Sequence, residues 1–466
     1  MAQKIYDKEE LSFRRIVGFA CNQSFVFFLL YMGSNQALHL ASLQIERADL
    51  LSMLLFMVVG FFVLNRCSPD MRNHLLQRPM LIGYALVMAA ASLFPLLGIE
   101  NVLVGLLAYS LLGFCASLLL TAWGRSFGML TTKAAIPEVF IGSLAAALLC
   151  LVFSLASSPE IMLLMRVFPI ASAAWIDSPE PHAPKSSSLF IDDTSQAATL
   201  SWKVLVGTLC FGVAAGFMET FGSASNTLAY PGYETAMLLF GAFLIGALSL
   251  LLSDGFGKGF ALNKSYRLSI FVMMTGILCI PLTSGTSGFS GESVVLAGYL
   301  GLEVVLIALF LVIAAITGSD GISAFSRGFM SLFAGEFIGL LCANLLASAF
   351  DSSSLRLVNL ALAGFLALLS YIFLFTEDDF NSLSKIATDI DSFDEVCLEI
   401  SSRFGLSKRE SETLPFALRG RTSGRIAESL GVSKSTVDTH LRRIYAKTGV
   451  HSRQELLDLS DRLRKG

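Results

Sequence analysis

Charge is what this chain has least of. Of its 466 residues only 15% are Asp, Glu, Lys or Arg, against 54% hydrophobic. A soluble protein of this length needs a more charged surface, so most of the chain cannot be water-exposed globule. Cysteine chemistry is also missing. There are eight cysteines but no CxxC pair, and no histidine stands at metal-ligand spacing. Six of the eight (Cys21, Cys115, Cys150, Cys210, Cys279 and Cys342) fall inside apolar runs, where the thiol behaves as a small hydrophobe. No disulfide, metal or other cofactor is therefore expected. A Gly-rich phosphate loop, a nucleophile–base constellation and a cofactor fingerprint are absent too, which argues against an enzyme. The opening MAQKIYDKEELSFRR has no small-residue cleavage site, so the first apolar run is expected to stay as a helix.

Long apolar runs take up most of the chain. Twelve stretches of about 20 residues are long enough to cross a bilayer as helices. They lie at 13–35, 48–65, 79–97, 102–121, 134–156, 160–177, 203–225, 233–253, 267–283, 293–316, 328–349 and 355–376. The longest polar interruption, SPEPHAPKSSSLFIDDTSQAATLSW at 178–202, divides them six plus six. The sixth run is the least regular, because Arg166 and Pro169 interrupt it. With a cytoplasmic N-terminus, the inside segments hold fifteen Lys and Arg, and the outside loops hold only Arg47 and Arg356. That is the bias that sets orientation in a plasma membrane, and even parity returns the C-terminus to the cytoplasm.

Ionisable residues inside such runs are expensive and usually face a cavity or a partner. The candidates are Arg166, Glu219, Glu303 and Glu336, with Asn22, Gln23, Asn226 and Asn344 as polar neighbours. Arg166 either pairs with one of the glutamates across a central cavity or snorkels to the surface. The glutamates either meet a polar or cationic small molecule or act as hydrogen-bonded packing glue.

Beyond the last run the composition changes. Residues 377–404 are acidic, and Leu383, Ile386, Ile390, Phe393, Cys397, Ile400 and Phe404 step by three and four. That is a helical seam, which either packs on the module that follows or pairs with a second copy. From Leu406 onward thirteen Lys and Arg stand against seven acids, an excess suited to phosphate.

Four short helices are predicted in this tail. The first is Arg409–Leu418, with Pro415 inside it. Ser423 is placed to cap the second, whose Ile426, Ala427 and Leu430 form its apolar face. Gly431 supplies a tight turn and Ser433 caps the third, Lys434–Lys447, in which Val437, Leu441, Ile444 and Tyr445 point inward. Lys434, Thr436, Thr439, His440, Arg442, Arg443 and Lys447 are left for solvent or DNA. The fourth starts at Ser452 and carries Leu456, Leu457, Leu459 and Leu463.

The tail resembles the LuxR-type helix-turn-helix. Leu406, Arg409 and Glu410 match the family's opening, followed by Gly420, Arg421 and Thr422, then Ile426 and Ala427. Leu430, Ser433, Thr436, Val437 and His440 match its centre, and Ile444, Lys447, Gly449, Val450 and Arg453 its close. The resemblance implies that the third helix lies in the major groove of double-stranded DNA, with Thr439 and Arg442 toward base edges. Thr436, His440, Arg443 and Lys447 would then hold phosphates. Asp438 departs from the family, which often carries Lys there. A paired reader would use a near-palindromic site, which implies a homodimer on DNA.

The six-plus-six array resembles the major facilitator fold, although the loop GFFVLNRCSPDMRN lacks that family's signature. The whole layout is similar to multi-pass LuxR-type regulators of gut actinobacteria, which are thought to sense small molecules. The expected architecture is all-α: a twelve-helix membrane bundle over 1–376 with halves at 13–177 and 203–376, a linker at 377–404, and a four-helix reader at 405–466. Two other readings stay open, a transporter with an autoregulatory tail and a membrane tether that sequesters a partner protein.

Overall fold

The computed structural model describes residues 11–31, 38–40, 43–94, 101–156, 163–176, 194–219, 232–254, 260–283, 290–317, 320–347, 352–373, 389 and 392–465. Thirteen helices make up the bundle among these: α1 (Phe13–Tyr31), α2 (Ala48–Arg66), α3 (Pro69–Leu75), α4 (Arg78–Ser92), α5 (Val102–Phe127), α6 (Thr132–Ala156), α7 (Phe168–Trp175), α8 (Thr194–Met218), α9 (Tyr233–Asp254), α10 (Phe260–Thr283), α11 (Gly291–Thr317), α12 (Gly321–Leu346) and α13 (Ser352–Phe373). Residues 392–403 form a linker helix. The tail holds α14 (Lys408–Leu418), α15 (Ser423–Leu430), α16 (Lys434–Thr448) and α17 (Arg453–Lys465). The described residues are all-α apart from a three-residue antiparallel pair, Leu38–Leu40 with Leu43–Ile45, between α1 and α2.

Each of the twelve apolar runs coincides with helix, but they are not equal. Eight helices among the described residues are long and apolar enough to cross a membrane, and nine if α3 and α4, bent by 55° at their break, count as one span. Leu163–Trp175, Trp202–Met218 and Leu357–Tyr371 are apolar but shorter, so twelve crossings do not follow. The chain is a multi-pass membrane protein. The sixth run breaks into a turn at Arg166 and Val167, where its sequence is interrupted. Helix α8 begins at Thr194, inside the stretch expected to be central loop. Local chemistry fixes several starts. Asn101 caps α5 by accepting from the Leu103 amide at 3.0 Å, and Asp320 caps α12 by accepting from Ser323 at 2.7 Å.

Small residues decide how closely the helices approach. On α8 and α12 two glycine pairs meet: a Cβ at Gly212 would lie 2.1 Å from the Leu332 carbonyl oxygen, and one at Gly216 would lie 2.2 Å from that of Glu336. Reciprocally, Gly335 and Gly339 abut the carbonyls of Leu209 and Val213 at 2.2 Å each. Spaced by four on both helices, these glycines let two backbones touch, and dispersion then replaces the hydrophobic drive that lipid cannot provide. Gly216→Val is expected to push α12 off α8 and destabilise the bundle by about 1–3 kcal/mol or more, read as a lower melting temperature in detergent. An unchanged melting temperature would contradict this packing.

The two halves are held together at both ends of the bundle. At one end Gly321 of α12 lies against Gly124 of α5, where a Cβ would come 2.3 Å from the Gly124 carbonyl oxygen. Nearby Arg72 donates to Ser323 at 2.9 Å and pairs with Asp320 at 3.5 Å, and Ser326 donates to Asn65 at 2.9 Å. Between the ends Phe61 of α2 stacks on Phe329 and Phe333 of α12. At the far end the Glu46 amide donates to Asn344 Oδ1 at 2.6 Å, and Asn344 Nδ2 donates back to the Glu46 carbonyl at 3.2 Å.

Candidate DNA interface and buried polar centre

The tail builds its reader around one apolar core. Leu414, Ala417, Ile426, Val437, Leu441, Ile444 and Leu456 are buried together, as are Val396, Cys397 and Ile400 of the linker helix. The described part of the linker seam therefore packs on the tail of its own chain, while Leu383, Ile386 and Ile390 lie outside the described residues. Arg419 stacks over Phe393 at 4.5 Å, and Arg464 donates to Ser392 at 3.0 Å and Asp389 at 3.1 Å. These contacts join the linker to both α14 and α17.

Caps define the helices of the reader. The second helix is capped one residue earlier than expected, by Thr422, whose side chain accepts from the Arg425 amide. Gly431 and Gly449, at φ 65° and 72°, end α15 and α16 in the left-handed region where a Cβ is penalised. Pro415 does not stop α14, which continues to Leu418. Arg453 donates to the Ala417 carbonyl at 2.9 Å and also to those of Phe416 and Arg421, which ties the start of α17 to the end of α14 and the turn after it.

Along α16, Lys434, Thr436, Asp438, Thr439, Arg442 and Arg443 are exposed on the side opposite the core. Among the described residues neither Arg442 nor Arg443 has an acidic partner, so both guanidinium groups are available to an anion. The Thr439 hydroxyl donates to the Ser435 carbonyl at 2.9 Å, and Thr436 shares a 2.7 Å hydroxyl bond with the capping Ser433. His440 is half-buried, and its buried Nδ1 finds no partner among the described residues, which leaves Nε2 as its outward atom.

Lys447 departs from the phosphate role expected of it. Its ammonium donates to the Glu410 carboxylate at 2.7 Å and to the Gly405 carbonyl at 2.9 Å. The reason lies in the capping box at the start of α14, where Glu410 accepts from the Ser407 amide at 2.7 Å. That cap draws a carboxylate that is only 3% exposed under the last turn of α16, and the nearest ammonium must answer it. Burial pushes the Glu410 carboxyl up, but Lys447 and Ser407 outweigh burial and hold it at about 2, below its ordinary 4.5. A depressed carboxylate stabilises the fold fully above the ordinary value, and loses that contribution as pH falls through the folded value. The contribution, about 3 kcal/mol, is expected to vanish between pH 4.5 and about 2. Pulsed hydrogen exchange of the tail in wild type and Glu410→Gln should therefore differ at neutral pH and converge in acid. A difference that persists in acid would refute this.

In the bundle, the expected partnership of Arg166 with a glutamate is not made. Arg166 lies over the Phe28 ring at 5.6 Å, and the guanidinium that pairs with Glu219 belongs to Arg47. Sequence reasoning counted Arg47 as a loop charge, yet it is 1% exposed and also donates to the Leu30 carbonyl. Its φ of 54° is the one positive value at a non-glycine among the described residues, a left-handed backbone that costs about 1–2 kcal/mol. That turn aims the side chain inward from the start of α2. Glu336 is wholly buried and accepts from the Tyr299 hydroxyl at 3.3 Å. Glu336 on α12 thus meets Tyr299 on α11, Glu303 lies one turn further along α11, and among the described residues Arg166 pairs with none of the three glutamates. Asn22 and Gln23 are buried on α1, Asn344 belongs to the far-end contact, and Asn226 lies outside the described residues.

A second buried pair went unnoticed in the sequence. Arg15 donates to Glu138 at 2.6 and 2.8 Å, and the Ser12 amide donates to the same carboxylate at 2.7 Å. Glu138 stands inside the fifth apolar run beside Pro137, and that position was the available signal.

Comparisons with known proteins agree with the tail's geometry. Residues 405–460 match the family model described as bacterial regulatory proteins, luxR family. The chain is 39% identical over 87 residues to an uncharacterized response regulatory protein, YgeK, of Escherichia coli (strain K12). That match covers 18% of this chain and 59% of the relative, so the chain spans a little over half the length of the curated protein it resembles. Among solved structures, the bundle aligns with a Major Facilitator Superfamily transporter, FucP, in the outward conformation. The TM-score is 0.44 at 13% identity, covering 77% of this chain and 97% of that one. It also aligns with an alanine variant of the E. coli fucose:proton symporter FucP, at TM-score 0.40 and 11% identity, over 77% and 96% of the two chains. The chain thus carries, behind a bundle of membrane-length helices, a domain that matches the luxR family of bacterial regulatory proteins.

Proposed function

We propose that this chain is a one-component regulator of the plasma membrane, sensing a small molecule through its bundle and binding promoter DNA through α16. Both termini lie in the cytoplasm on this reading, as the Lys and Arg bias of the loops requires. The observation that carries it is the exposed Arg442–Arg443 pair, without an acidic partner among the described residues, on a helix that matches the luxR family, set on a linker that also touches the bundle. That contact is Lys133 at the start of α6, which donates to Glu395 of the linker helix at 2.8 Å. Arg442 suits guanine through a bidentate fork, and Arg443 suits a phosphate. Ligand binding biases the bundle between two arrangements, and the linker passes the change to the spacing of paired readers. A ligand with equal affinity for both arrangements would shift nothing.

Crosslinking the full-length protein to chromosomal DNA in living cells tests this. Wild type should enrich a few discrete promoter regions, and Arg442→Ala/Arg443→Ala should lose them at equal membrane abundance. Enrichment of the same regions by the double variant would reject the reading.

A further inference from the structure

Among the described residues, two carboxylates of the buried centre have no ion-pair partner. Glu219 has Arg47, but Glu303, 3% exposed, has no hydrogen-bond or ion-pair partner among the described residues. Glu336 receives one long bond at Oε2, and its buried Oε1 receives none. Tyr299 and Glu303 lie four apart on one face of α11, a helix buried along nearly its whole length, and Glu336 meets Tyr299 from α12. Glu336 cannot retreat, because its carbonyl packs on Gly216 and its neighbours Gly335 and Gly339 lock α12 onto α8. Carboxylates this deep in a membrane bundle are unfavourable as anions unless a cation joins them or a proton neutralises them.

We propose that Glu303, Glu336 and Tyr299 bind a small organic cation, a protonated amine; this rests on the reading of the bundle as a small-molecule sensor. A primary ammonium brings a positive charge and three donors, which matches the acceptors left open on two carboxylates. The Tyr299 ring adds a face that attracts cations. A bare metal ion fits poorly, since among the described residues no three His, Cys, Asp or Glu side chains converge as metal ligands.

The test is thermal melting of the purified full-length protein with phenethylammonium, hexylammonium and spermidine, each at about 10 mM. Phenethyl alcohol and phenylacetate serve as neutral and anionic counterparts, and sodium chloride as the ionic-strength control. At least one amine should raise the wild-type melting temperature by several degrees. Its apparent affinity should weaken about tenfold or more in Glu303→Gln and Glu336→Gln. Both carboxamides remove a buried charge, so they are expected to fold and to melt no lower than wild type without amine. If none of the three amines shifts wild type, or the alcohol or phenylacetate does so as well as they do, the assignment is overturned. An amine that stabilises wild type but leaves DNA binding unchanged would uphold the site and reject the sensing reading instead.

Discussion

Lys447→Ala is expected to loosen the reader, whereas Arg442→Ala is expected to leave it folded and weaken DNA binding about tenfold or more. The two residues stand on the same helix and the sequence leads to the same expectation of DNA contact for both, but their surroundings differ. Removing Lys447 leaves Glu410 buried without its ammonium, and the capping box at Ser407 holds that carboxylate in place. Breaking such a pair costs more than the pair contributes, because the surviving charge stays desolvated. Lys447 keeps over a third of its exposure, and water recovers part of the loss, so about 2 kcal/mol is the expected destabilisation. Hydrogen exchange of the full-length protein should show α14 and the end of α16 losing protection in Lys447→Ala alone. Arg442→Ala touches no internal partner and should exchange as wild type does. Equal protection in both variants, or loss in Arg442→Ala, would invert the assignment.

The second large effect is expected in the bundle, where Arg47→Ala or Glu219→Ala should each destabilise by about 3–5 kcal/mol. Each leaves a buried charge without its opposite at the junction of α1, α2 and α8. The double variant Arg47→Met/Glu219→Leu removes both charges and keeps volume, so it should recover most of the lost stability. Additive losses in the double variant would mean that the two side chains do not act as a pair. Arg47 also carries its strained backbone, so Arg47→Gly should lose the charge but regain part of the conformational cost.

Much of this was visible in one dimension. Twelve apolar runs mark helical segments because hydrophobic length needs no tertiary context, and the reader's core residues Val437, Leu441 and Ile444 follow from a 3.6-residue period. What stayed hidden is where a long charged side chain turns. Arg47 reads as a loop cation because its position is interhelical, and only the left-handed turn before α2 sends it inward. Lys447 reads as a DNA-facing cation because it continues the polar face of α16. Its partner Glu410 is 37 residues away and belongs to a cap, a local device with a long-range consequence. Glu138 lay in plain view, but its pairing with Arg15 spans 123 residues and leaves no periodic trace. Glu303 and Glu336 were legible as carboxyls inside apolar runs, while the contact of Glu336 with Tyr299 depends on helix packing that no single run records.

The most direct measurement is DNA binding by the full-length protein held in lipid nanodiscs, followed by fluorescence anisotropy across a salt series. Duplex fragments recovered from the chromosome by the wild-type protein are the probe. Wild type should bind them with affinity that falls steeply as salt rises, and Arg443→Ala should reduce that slope by about one counterion. Failure of the wild-type protein to bind any recovered duplex at moderate salt, or binding indifferent to Arg442→Ala/Arg443→Ala, would contradict the account.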